Sequence, residues 1–151
     1  MNPDSIEPFV SATLSVFSKM LSLELAPQAP LVRSSRSPHY DVTGMVGLTG
    51  KTTGIVALSL PQDFALTITE RLIAEHRTEI DADVVDAIGE LTNMIAGAAK
   101  ARLESLQLSL GLPTVIIGRD SRIAYPSRCT PVSLPFASPL GPLLVEVGIL
   151  L

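Results

Sequence analysis

A chain of 151 residues with Cys129 as its one cysteine and a formal net charge of −4 is long enough to bury a continuous core and has no means of forming an intrachain disulfide. Its 11 Lys and Arg against 15 Asp and Glu are scattered, which excludes a general nucleic-acid binder with a phosphate-neutralising basic patch. No cleavable signal pattern is present, nor an apolar run of the about 18 residues that a membrane span needs, so a cytoplasmic, reducing setting is expected. Hydrophobic residues make up 46% and charged residues 17% of the sequence. That is more apolar than one very soluble monomer requires, and an additional buried surface such as a homodimer interface would account for it.

Residues 1–151 read as one domain, with no length left for a second. From Asp4 or Ser5 to about Leu21, Ile6, Phe9, Val10, Leu14, Phe17, Met20 and Leu21 recur at helical spacing. Ser5 is the expected cap, Pro8 is tolerated near the start, and Pro27 and Pro30 prevent continuation. Arg33 to Pro38 is polar and reads as loop or a partly paired edge.

Tyr40–Thr49 and Thr53–Leu60 read as two strands joined by Gly50-Lys51-Thr52, a hairpin turn. Gly-Lys-Thr also ends a Walker A loop, but that motif needs a glycine where Met45 stands, and a helix where a strand follows. Pro61 opens a short helix to Ile73, and Glu75–Ile80 is a polar connector. His76 in that connector and His39 beside Pro38 both read as solvated loop histidines, since neither has ligand-spaced neighbours.

A long helix begins at Asp81, which caps it, with Asp83 in the acidic first turn, and is expected to reach Leu106 or Leu108 before Gly111-Leu112-Pro113. Thr114–Gly118 reads as a short buried strand and Arg119–Arg122 as a turn. Prolines at 126, 131, 135, 139 and 142 exclude a central helix and suit loop and edge strand; Val132–Phe136 fits an interrupted edge strand. Leu140-Gly141 turns the chain into a final strand, Leu143–Leu151. Cys129 lies in this Pro-rich stretch as a small structural residue. The expected fold is α+β, helices stacked on a largely antiparallel sheet, because the connections are too short for parallel crossovers.

The long helix carries the chemistry-bearing residues. Val84, Ile88, Leu91, Ile95, Ala98 and Leu106 gather on one face, and Asp86, Glu90, Asn93 and Gly97 nearly opposite. Glu90 and Asn93, three apart, lie on adjacent turns and can reach one partner group. A carboxamide accepts from water while donating to another oxygen, so Asn93 suits the alignment of a nucleophile in phosphoryl transfer. Glu90 suits a cation. Gly97 costs about 1 kcal/mol relative to Ala inside a helix; close approach of another backbone or packing against a second helix would each explain it.

The run Asp86-Ala-Ile-Gly-Glu90-Leu-Thr-Asn93-Met-Ile-Ala-Gly97-Ala-Ala-Lys100-Ala-Arg-Leu103 resembles the Glu-x-x-Asn signature helix of the CheC/CheX/FliY chemotaxis phosphatases, in its CheX-like form. The likeness extends to Asp41–Gly50, the strand to Leu60-Pro61, and Leu112–Val115. It implies dephosphorylation of a CheY-like response regulator whose acyl phosphate sits on its own Asp with its own Mg²⁺, so that no cofactor or metal belongs to this chain. Asn93 would orient the attacking water and Glu90 would contact the regulator's active-site Lys, with Asp86, Gly97 and Lys100 as partner-binding residues. The first helix has no Glu-x-x-Asn copy, so one site is expected, and Ala98 stands where CheX-like sequences often have Asn. The resemblance also implies a homodimer formed through sheet edges. The alternatives are a non-catalytic domain that binds a receiver or other signalling partner through the same helix face, and a structural subunit assembled through apolar edges.

Overall fold

A computed structural model describes residues 3–32, 39–119, 121, 123–126 and 128–150. Among these, three α-helices pack on one face of an eight-stranded sheet whose pairings are all antiparallel. The helices are α1 (Pro3–Leu21), α2 (Gln62–Ile73) and α3 (Ala82–Ala101). The long strands are β3 (Val42–Thr49), β4 (Thr53–Leu60), β7 (Val132–Ala137) and β8 (Leu143–Ile149). Four short ones, β1 (Ala26–Pro27), β2 (Leu31–Val32), β5 (Ser109–Leu110) and β6 (Thr114–Ile117), fringe the edges. The order is β1-β7-β8-β4-β3-β5, with β2 also on β7 and β6 also on β3.

Alternation of side chains along each strand divides the sheet cleanly. Val46, Leu48, Val56, Leu58, Leu60, Leu134, Val145 and Val147 are buried beneath the helices, where Phe17 of α1 and Phe64 of α2 meet edge to face at 6.2 Å between ring centroids. Thr43, Ser59, Ser133 and Glu146 are also buried, at alternate positions of the same strands. From the described part of the chain between β6 and β7, Tyr125 and Cys129 pack over Gly148 on this second face, and burial pushes the Cys129 thiol pKa up, in keeping with an inert structural residue.

His39 departs from its expected place in solvent. It is 6% exposed, with Nδ1 2.7 Å from the Ser121 carbonyl oxygen and Nε2 3.1 Å from Glu146 Oε2. The carbonyl is only an acceptor, so Nδ1 donates, and a proton held on either partner joins Nε2 to the carboxylate. A loop histidine thereby ties the covering segment to β8. Sequence spacing misses the pair because 107 residues separate its members.

Other boundaries differ for equally local reasons. α1 begins at Pro3, so Ser5 lies within the helix instead of capping it. α3 stops at Ala101; Arg102 ends it, a 3-10 turn follows over Glu104–Leu106, and Gln107 takes a left-handed backbone. Tertiary pairing overrides helical continuation there: Lys51 N donates to Leu106 O at 2.9 Å, and β5 pairs with the end of β3. Thr114–Gly118, expected to be buried, forms instead a largely half-exposed edge strand that pairs only with β3. β7 is not itself the edge, since β1 and β2 border it. Pro135 is tolerated because its carbonyl accepts from Gln28 N on that fringed side, where the N–H it lacks would also have pointed. The expected loop or edge at Arg33–Pro38 falls outside the described residues.

Asp41, at the start of β3, accepts from Gln62 N at 2.8 Å and from Arg119 Nε at 2.6 Å. These bonds hold its carboxyl below the usual range, and the first one caps α2 from a neighbouring strand.

α3 lies close on β3 at Gly44, where an added Cβ would lie 2.2 Å from Thr92 Oγ1 and 3.2 Å from Thr92 Cβ. Glycine is required there by the closeness of the helix. Gly44→Ala should therefore destabilise the fold by about 1–3 kcal/mol in urea unfolding. Adding Thr92→Ala should restore part of that loss, a coupling that additive, independent sites would not show.

Candidate functional site

α3 is anchored at its first turn. Asp81 adopts an extended backbone, and its side chain accepts from Val84 N at 3.1 Å, satisfying one of the free N–H groups at the helix start. Arg77, which sequence patterning does not single out, gathers the connector: Nη1 lies 2.8 Å from Asp81 Oδ2, and Nη2 contacts Glu75 and Asp83. The Val84 N–H, aided by Arg77, lowers the Asp81 pKa. His76 is largely exposed, as expected, and its Nδ1 lies 2.8 Å from Glu70 Oε1.

From that anchor the helix runs with Val84, Ile88, Leu91 and Ile95 buried against the sheet and neighbouring helices. Ala98 is only half-buried, and Ala99 fills the core position next to it. The opposite face is open. Asp86, Glu90 and Lys100 are exposed, and Asn93 and Gly97 are half-exposed. Among the described residues, no side-chain hydrogen bond or ion pair engages Asp86, Glu90, Asn93 or Lys100. At about 1.5 Å per residue, Glu90 and Asn93 are separated by about 4.5 Å along the axis, and Gly97 follows about 6 Å beyond Asn93.

The rim of this face is built from distant sequence. Pro113 and Val115 lie beside Gly89 on one flank. Below Asn93, an open cleft of about 460 Å³ is lined by Gly97, Lys100, Ala101, Glu104, Gln107 and Leu108. The early end of α3 makes this cleft, because the 3-10 turn folds back where a longer helix would have filled the space. Among the described residues no group of three His, Cys, Asp or Glu side chains is placed to hold a metal ion. Nor is any described helix long and apolar enough to cross a membrane.

The profile of the family described as "Chemotaxis phosphatase CheX" matches residues 42–137. The chain belongs to the CheX family. The match takes in β3 through β7 and all of α3, hence Asp86, Glu90, Asn93, Gly97 and Lys100. A curated relative, the CheY-P phosphatase CheX of Thermotoga maritima, is 35% identical over 89 residues, 57% of either chain; the alignment thus spans little more than half of that CheX protein. A CheC-like superfamily protein from Shewanella sp. PV-4 superposes with a TM-score of 0.90 at 31% identity, over 99% of both chains. A chain of the CheX–CheY–BeF3–Mg²⁺ complex from Borrelia burgdorferi superposes with a TM-score of 0.83 at 25% identity, over 98% of this chain and 99% of that one. The α+β architecture and the place of α3 within it are therefore those of the CheX fold.

The anchoring of this CheX helix can be read from its acid response. With its folded-state pKa below the unfolded value, the Asp81 contribution is complete above the ordinary carboxylate pKa and is lost as pH falls through the folded-state value. Asp81→Asn keeps a capping oxygen without the charge. Its urea midpoint should lie below wild type at pH 7 and converge on it as pH falls through the folded-state value.

Proposed function

We propose that this chain is a phosphatase that hydrolyses the aspartyl phosphate of a CheY-like response regulator by inserting α3 into the receiver's phosphorylation site. The observation that carries the proposal is the open face of α3, where Glu90 and Asn93 stand together with no partner within the described part of the chain. The activity named for the Thermotoga relative and the CheY-bound state of the Borrelia relative support the same reading.

In this mechanism the Asn93 carboxamide oxygen accepts a hydrogen bond from the attacking water while its NH₂ donates to a phosphoryl oxygen. A bond forms from the water oxygen to phosphorus as the phosphorus–oxygen bond to the aspartyl carboxylate breaks. The carboxylate leaves with the electron pair, and the water proton passes to phosphate or solvent. Glu90 pairs with the receiver's active-site Lys and fixes the helix in register, while Asp86, Gly97 and Lys100 line the contact. The receiver supplies Mg²⁺ and most of the charge stabilisation. An acyl phosphate is already labile, so holding a water in line can supply a useful acceleration without a nucleophile from this chain.

Mixing the protein with a phosphorylated CheY-like receiver should speed phosphate release, and Asn93→Ala should reduce that acceleration by about 100-fold, the scale of a misplaced reactant. Glu90→Ala should chiefly weaken receiver binding. Binding of the receiver without faster hydrolysis by wild type would point instead to a non-catalytic docking domain.

The reading also includes a cytoplasmic homodimer joined through a sheet edge. Both edges carry exposed apolar side chains, Leu112 and Ile117 at 91% and 56% exposure on one side and Leu31 and Val32 at 60% and 74% on the other. Light scattering should give a dimer mass for wild type and a monomer mass for only one of Ile117→Lys and Val32→Lys, the one that lies at the paired edge.

A further inference from the structure

Gly97 lies inside α3, about one turn before its end at Ala101, where glycine costs up to about 1 kcal/mol relative to alanine. The fold does not ask for it. A Cβ added there would meet only Leu110 Cδ1, at 3.8 Å, an ordinary van der Waals distance. Its φ is also not in the left-handed region that favours glycine. Gly44 is the counterexample in the same molecule, excluded from carrying a side chain by Thr92 at 2.2 Å. Nor does a neighbouring helix pack on Gly97, since the nearest side chain belongs to β5.

The position of Gly97 on the helix says what its bareness serves. At about 100° per residue, Gly97 points about 20° from the direction of Glu90 and about 40° from that of Asn93, on the same side. Helical side chains tilt toward the N-terminus, so a side chain at 97 would lean toward Asn93 from about 6 Å beyond it. On the other side the ground falls away into the cleft lined by Lys100, Ala101, Glu104, Gln107 and Leu108. Glu90, Asn93 and the cleft thus surround a patch of bare backbone.

We infer that Gly97 is the positioning residue that sets how deeply α3 seats in its partner, its missing side chain admitting the main chain of a receiver loop that crosses from the Asn93 side toward the cleft. The inference rests on the phosphatase reading. It assigns Gly97 no chemistry of its own: the residue acts through Asn93, by letting the carboxamide come within hydrogen-bond reach of the water and phosphoryl group. A methyl group at 97 holds the two backbones apart by about the 1 Å that costs a positioned reaction up to about 100-fold.

The test compares wild type, Gly97→Ala and Gly97→Leu for thermal stability, receiver binding and phosphate release from the phosphorylated receiver. Gly97→Ala should have an unchanged or higher Tm, yet a kcat lowered about 10-fold with a smaller change in KM, as expected for misplacement. Gly97→Leu should lose receiver binding while remaining folded. A Tm lowered by Gly97→Ala would make the glycine structural and overturn the inference. Full activity of Gly97→Ala beside an active wild type would also overturn it, leaving the phosphatase reading intact. A wild type that releases no extra phosphate would overturn both.

Discussion

The structure depends on how closely α3 lies on β3. Thr92 sits over Gly44, its hydroxyl turned back to the Ile88 carbonyl oxygen at 2.7 Å, so the helix settles onto backbone with no side chain between. That contact fixes the rotation of α3 about its axis. With Val84, Ile88, Leu91 and Ile95 committed to the core, 3.6-residue periodicity leaves Asp86, Glu90, Asn93 and Gly97 facing outward. The open face is the geometric remainder of the buried one.

The sheet beneath is stabilised from both sides by different chemistry. Under the helices the burial is almost wholly apolar. The second face carries hydroxyls and a carboxylate, which must be hydrogen-bonded to be buried at tolerable cost. Thr43 and Ser59 meet at 3.0 Å and His39 meets Glu146, while the Ser133 hydroxyl has no partner among the described residues. On this face Tyr125 and Cys129 lie over Gly148 and the Ser121 carbonyl meets His39, where no described helix packs.

In the proposed reaction the labour is divided between two proteins: the partner would own the metal and the labile bond, and this chain would bring a carboxamide and a carboxylate on an open helix face. Such a site needs no deep pocket, and accordingly it is a convex helix face bordered by an open cleft. Rigidity matters more than enclosure: Asp81, Arg77, the Gly44 contact and the β5–β6 flank all hold α3 in place.

Most of the architecture was legible in local pattern. The β3–β4 hairpin, α2, the start of α3 and the last strand all follow from periodicity, turn residues and capping chemistry, which act over a few residues. Glu90 and Asn93 were legible as an outward pair for the same reason. What tertiary structure alone decided lies where distant segments compete with local preference. α3 ends at Ala101 because the hairpin turn captures the Leu106 carbonyl, and the cleft beside Gly97 exists only as a result. His39 is buried because Glu146, far along the chain, offers it a partner. Two glycines that look alike in the sequence differ in kind because a threonine crowds one and nothing crowds the other. Spacing along a chain determines which side chains share a face; only the packing of remote segments determines what that face meets.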